Sequence, residues 1–151
     1  LSGITGRPFE LIETWGMEDA EVAVVVIGST AGNMRHVARK VRAEGGPKVG
    51  IVKLRCFRPF PVTELASALS SVKAVAVLDR AESFGAQGGP IFLEVRSALY
   101  DAPNRVPVVD YVYGLGGSDV RLDLMKRVID DLAGLAAGEP GPGSLVYLGI
   151  R

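Results

Sequence analysis

Two stretches carry residue types and spacings that can do chemistry. The first is Gly28-Ser29-Thr30-Ala31-Gly32-Asn33, which follows the apolar run Val22–Ile27. Glycine and hydroxyl residues opening a helix leave free backbone N–H groups at the positive end of the helix dipole, and such ends hold phosphates and other small anions. Ser29, Thr30, Gly32 and Asn33 are therefore candidate anion-loop residues. The spacing is neither G-x-G-x-x-G nor a Walker loop. The same residues also make a plain strand-to-helix turn in which Ser29 or Thr30 caps the helix. If Gly32 occupies a left-handed or tightly packed turn, Gly32→Val destabilises the domain. The second stretch is Asp79-Arg80-Ala81-Glu82, followed by Gly85-Ala86-Gln87-Gly88-Gly89-Pro90. Two carboxylates beside a glycine-rich loop can serve as general acid and base. No nucleophile or metal partner accompanies them. An Asp79–Arg80 pair at a strand end, followed by a mobile connection, accounts for the same residues.

Charge is unevenly placed. Residues 35–58 hold eight bases (Arg35, Arg39, Lys40, Arg42, Lys48, Lys53, Arg55, Arg58) and one acid, Glu44. Arg35, Arg39 and Arg42 fall at i, i+4 and i+7 and share one helix face. That face is either solvated or a docking surface for an acidic partner, because steering follows local charge. The acids of residues 10–21 (Glu10, Glu13, Glu18, Asp19, Glu21) can also neutralise it within the chain.

There is one histidine, His36, and one cysteine, Cys56. That excludes an internal disulfide, a Cys/His zinc site and a four-cysteine iron–sulfur cluster within these residues. A Ser-His-Asp triad would have to use His36, which reads as a solvated surface residue. Cys56 reads as a small buried hydrophobe. No residues form a self-sufficient catalytic centre, and none form a metal site.

The chain has 151 residues and a mass of 15.9 kDa, the size of one domain able to bury a core. With 48% hydrophobic and 23% charged residues, its composition is globular rather than disordered. Seventeen basic and seventeen acidic residues cancel, so net charge points to neither nucleic acid nor an anionic membrane. Val22–Ile27, the longest apolar run, is far too short to span a bilayer. The start at Leu1 has no basic segment before an apolar one, so it does not read as a signal peptide and reads instead as the middle of a longer chain. Without a disulfide framework, the expected location is cytoplasmic.

The elements that must position these residues follow from periodicity. Residues 1–21 read as a linker or strap, with Phe9, Leu11, Ile12 and Trp15 able to pack on something. Residues 22–151 read as a single α/β domain. Val22–Ile27 is β-branched and continuous, as in a strand buried on both faces. A helix follows from about Asn33 to Glu44, closed by Gly45-Gly46-Pro47. Val49–Leu54 is a strand. Arg58-Pro59-Phe60-Pro61 is a rigid turn, and Val62–Val72 has helical spacing with Thr63 as a possible cap. Ala74–Leu78 is a strand, Ile91–Tyr100 a helix opened by Pro90, and Val106–Tyr113 a strand. Ser118 can cap a helix from Asp119 to about Leu135. Residues 134–144 form a loose Gly/Pro segment, and 145–150 a possible fifth, edge strand. Apolar strands alternating with amphipathic helices predict a mostly parallel sheet covered on both faces, with any ligand beyond the carboxyl ends of the strands.

Two resemblances bear on function. Ser29-Thr30-Ala31-Gly32-Asn33-Met34 resembles the flavodoxin FMN-phosphate loop, Ser/Thr-x-Thr-Gly-x-Thr. Ala31 and Met34 occupy two of its three hydroxyl positions, which weakens a dianion site. A flavodoxin-like FMN electron carrier is therefore one alternative function, and a non-enzymatic α/β interaction module is another. The wider match is to the second domain of the α subunit of pyruvate:ferredoxin oxidoreductase. Ala23–Pro61, with Lys53-Leu54-Arg55-Cys56-Phe57-Arg58-Pro59-Phe60-Pro61, resembles it. So do Asp79-Arg80, Ser83-Phe84-Gly85, Gly88-Gly89-Pro90 and Tyr113-Gly114-Leu115-Gly116-Gly117-Ser118-Asp119, in the same order. Arg58-Pro59-Phe60-Pro61 and Asp79-Arg80 are similar to the pyruvate branch, with 2-oxoisovalerate and oxalate enzymes as relatives. The resemblance implies a three-layer α/β/α sandwich with a mostly parallel five-stranded sheet, like the transketolase C-terminal domain with its one antiparallel strand. It implies oxidative decarboxylation of a 2-oxoacid to an acyl-CoA, with thiamine diphosphate, Mg and iron–sulfur clusters held elsewhere in the complex and none in this chain. The implied partners are the thiamine-binding, gamma and ferredoxin-like subunits, with ferredoxin as electron acceptor. The implied role of this domain is structural. On that reading Arg35, Arg39, Arg42, Arg58 and Phe60 become interface candidates.

Overall fold

The structure is a computed structural model that describes residues 2–6, 9–103 and 105–149. Its centre is the pair of strands with the most continuous apolar sequence. These are β2 (Val22–Ile27) and β4 (Ala74–Asp79), which lie side by side and in parallel. Strand β3 (Val49–Leu54) adds to the other side of β2, and β5 (Val108–Val112) and then β6 (Leu145–Tyr147) add beyond β4, all in parallel. A further strand, β1 (Ile12–Trp15), pairs antiparallel with β3 and closes that edge. The order is β1-β3-β2-β4-β5-β6. The sheet therefore has six strands rather than five. The extra strand lies within the stretch read as a strap, and it is the antiparallel one; the C-terminal edge strand is parallel.

β1 escapes a periodicity reading because it is four residues long and carries Glu13 in its middle. Its two faces are nonetheless used. Ile12 joins the core on one side of the sheet and Trp15 packs against the core on the other.

Helices α2 (Thr30–Ala43) and α5 (Leu122–Ala136) cover one face of the sheet, while α3 (Val62–Ala68) and α4 (Pro90–Leu99) cover the other. A short helix, α1 (Ser2–Thr5), precedes β1 and has no buried residue. α2 presents Met34, Val37, Ala38 and Val41 to the core. It ends in a Schellman motif: Gly45 turns left-handed at φ 78°, and Gly46 N–H donates to the Val41 carbonyl at 2.9 Å.

Several boundaries differ from periodicity. α2 begins at Thr30, and neither Ser29 nor Thr30 makes a side-chain cap. α3 stops at Ala68 and Thr63 does not cap it, although Leu69 and Val72 remain buried. α5 begins three residues after Asp119. Gly114, Gly116 and Gly117 all have positive φ and fold Leu115–Gly117 into a short 3-10 turn, whose carbonyl of Leu115 accepts the Ser118 hydroxyl. α5 then runs through Gly134 to Ala136. Ile150, the last residue of the expected edge strand, lies outside the described residues. No helix among the described residues is long and apolar enough to cross a membrane.

Candidate functional site

The parallel strands β3-β2-β4-β5-β6 have the 2-1-3-4-5 order in which the crevice opens between the first and third strands. Here that point lies between the ends of β2 and β4, where Gly28-Ser29 and residues 80–89 diverge. Thr30, a candidate anion ligand, is buried, and its Oγ1 accepts the Tyr113 hydroxyl at 2.8 Å. Ala31 and Met34 are buried in the core, Asn33 is exposed, and Gly32 is helical with open space where a Cβ would be. The left-handed turn belongs to Gly28, at φ 76°.

Ser29 and Gly32 do border a cleft of about 160 Å³, together with Trp15, Arg35, Lys53 and Glu13. Among the described residues Glu13 is the one acid lining it and partly offsets its positive charge. Its carboxylate is 2.9 Å from Arg55, 3.6 Å from Arg35 and 3.9 Å from Lys53. The hydrogen bond from Arg55 is the main reason its carboxyl titrates below the usual range, against a smaller opposing effect of burial.

The other arginines of the basic face are also engaged. Arg42 donates to the carbonyls of Val49 (3.0 Å) and Gly16 (2.6 Å) and to Asp19 (2.8 Å), which tethers the β1–β2 connection to α2. Trp15 lies between Arg39 and Arg42, at 5.6 and 5.5 Å from its ring centre. Arg58 sits over the Phe57 ring at 4.2 Å and pairs with Glu94 at 2.7 Å, with its side chain 61% exposed. Phe60 is half-buried and meets Phe57 edge-on at 6.2 Å. His36 is exposed. Cys56 is half-buried rather than fully buried, and its thiol donates to the Arg58 carbonyl.

The carboxylates of the second stretch are arranged differently from a strand-end ion pair. Asp79 turns inward and accepts the N–H groups of Ile91 (3.0 Å) and Phe92 (2.8 Å), capping α4 from a neighbouring strand. Its hydrogen-bond partners are backbone groups rather than Arg80, which is exposed. Burial raises its pKa, partly offset by those two backbone donors. A second acid, Asp110 in the middle of β5, is fully buried and accepts the Gly89 N–H at 2.6 Å. Burial pushes it up to about 7, and the charges of Asp79 and Glu82 push the same way. Gly88 and Gly89 make this packing possible. A Cβ on Gly89 would overlap the Asp79 carboxyl, and one on Gly88 would meet Phe92 and Asp110. Asp110 escaped the sequence reading; the available signal was a lone charge inside an apolar strand. Further along the loop, the Glu82 carboxylate accepts the Tyr147 hydroxyl of β6, and Phe84 stands fully exposed.

The profile of pyruvate:ferredoxin oxidoreductase core domain II matches residues 20–125. The chain belongs to this family. The chain is 41% identical over 148 residues to pyruvate synthase subunit PorA of Thermotoga maritima, covering 97% of the chain and 36% of that protein. It is 37% identical over 144 residues to the alpha subunit of NADH-dependent phenylglyoxylate dehydrogenase of Aromatoleum evansii, covering 95% of the chain and 34% of that subunit. The chain thus spans about a third of the length of these curated relatives. Among solved structures, 2-oxoglutarate:ferredoxin oxidoreductase from Magnetococcus marinus superposes with a TM-score of 0.59 at 20% identity, over 83% of this chain and 20% of that one. A split-gene transketolase superposes with a TM-score of 0.58 at 15% identity, over 88% of this chain and 44% of that one. These two likenesses establish the fold, a transketolase-like α/β/α sandwich.

Among the described residues no three acids, histidines or cysteines converge to hold a metal ion. Asp79 and Asp110 spend their hydrogen bonds on the α4 N-terminus and the Gly89 N–H.

Proposed function

We propose that this chain is the assembly domain of a 2-oxoacid:ferredoxin oxidoreductase, acting in the cytoplasm, whose substrate is pyruvate or a close 2-oxoacid. The whole enzyme decarboxylates the 2-oxoacid oxidatively and forms an acyl-CoA. Thiamine diphosphate with Mg and the iron–sulfur clusters belong to its other domains, and ferredoxin takes the electrons.

One observation carries the structural role. The polar groups at the carboxyl ends of β2 and β4 are spent within the fold: Thr30 on the Tyr113 hydroxyl and Asp79 on two N–H groups of the α4 N-terminus. Strand ends whose polar groups are satisfied in this way offer rigidity rather than chemistry. The contribution of core domain II to the enzyme is then to hold neighbouring domains in register, through the surface that includes Arg58 and Phe60.

The test is anaerobic isolation of the tagged protein from its source, with mass spectrometry of what accompanies it. Recovery with thiamine-binding and ferredoxin-like iron–sulfur polypeptides, together with 2-oxoacid- and CoA-dependent ferredoxin reduction, is the expected result. A protein recovered alone and colourless overturns the reading. One recovered alone with flavin absorbance bands replaces it with an FMN electron carrier.

A further inference from the structure

Asp110 is fully buried, yet only one of its oxygens is paired. Oδ2 accepts the Gly89 N–H, and Oδ1 has no partner. The charges that act on it are both acidic, Asp79 at the end of β4 and Glu82 in the 80–89 loop. On β6, Tyr147 binds Glu82 rather than Asp110. On α4, Glu94 is committed to Arg58, and Arg96 lies over the Phe92 ring. On α5, Asp131 accepts the hydroxyl of the adjacent Tyr111, whose side chain points to the opposite face of the sheet. An ionised Asp110 would therefore be a buried charge with one hydrogen bond, no cation and two other carboxyl groups acting on it, a costly state.

The segment that depends on this acid is the loop between β4 and α4. Gly88 and Gly89 rest directly on the two carboxyls, so the end of the loop and the first turn of α4 share one packing arrangement. The loop presents the exposed Phe84 and has a second tether in the Glu82–Tyr147 contact.

We propose that Asp110 is a proton-operated latch on the 80–89 loop: the neutral acid keeps Gly88–Gly89 seated against α4, and ionisation of Asp110 releases the loop and the Phe84 it carries. The proposal is independent of the enzymatic reading. Its sign follows from linkage. The carboxyl is raised from its ordinary value of 3.8 to about 7 when the loop is closed. The closed state therefore binds the extra proton, is fully stabilised below pH 3.8, and loses that stabilisation as the pH rises through about 7. The single hydrogen bond from Gly89 opposes this and is outweighed by burial.

Hydrogen–deuterium exchange of the intact protein, read by mass spectrometry at pH 6, 7 and 8 and corrected for intrinsic exchange, tests the latch. Opening of peptides covering residues 80–92 should rise about tenfold from pH 6 to pH 8. Peptides from α2 should not change. Asp110→Asn should remove the rise, and Asp110→Ser, smaller and equally neutral, serves if the amide variant fails to fold. A flat wild-type profile, or the same tenfold rise in the neutral variants, overturns the proposal.

Discussion

Gly32 and Gly89 both lie at helix starts and have opposite roles. Gly32 sits within α2 facing open space, so its missing side chain serves no packing purpose. Gly32→Ala should raise stability by up to about 1 kcal/mol through helix propensity. The condition under which Gly32→Val would destabilise, a left-handed or crowded glycine, is not met. Gly89 lies where a Cβ would overlap the Asp79 carboxyl, itself fixed by two backbone donors. Gly89→Ala should cost about 1–3 kcal/mol, the usual range for overpacking. Urea unfolding midpoints of the two variants should therefore move in opposite directions. In sequence both glycines simply read as loop residues. What separates them is the distance to side chains from other elements.

At the scale of elements, legibility followed burial. β2 and β4 are covered on both faces and so were written as unbroken apolar runs, and the apolar faces of α2 and α5 were readable for the same reason. β1 was not readable, because a short edge strand needs little apolar sequence if something else holds it. That something is Trp15 between Arg39 and Arg42, with Arg42 bonded to the Gly16 carbonyl and Asp19. Trp15→Ala removes two cation–π contacts and the buried part of the indole, so it should cost about 2 kcal/mol. Hydrogen exchange should show the loss concentrated in β1 and the facing amides of β3. Uniform loss across the sheet would mean that β1 is not a separately anchored element.

For the whole molecule, Arg58 separates fold stability from assembly. Its partner Glu94 is half-buried but the Arg58 side chain is exposed, and ion pairs open to solvent contribute at most about 1 kcal/mol. Arg58→Ala should leave the melting temperature nearly unchanged while weakening association with whatever polypeptides co-purify with the protein, if the proposed assembly role holds. A large loss of thermal stability with assembly intact would make Arg58 a structural residue only. Residue types and their spacing were enough to determine the α/β class, the central strands and the family resemblance, because those depend on periodic burial and on motifs local in the chain. The tertiary structure alone decided the sixth strand, the inward turn of Asp79 and the buried Asp110 beneath Gly89. Each of these depends on which distant side chain or backbone N–H lies within a few ångströms, and neither spacing nor composition encodes that distance.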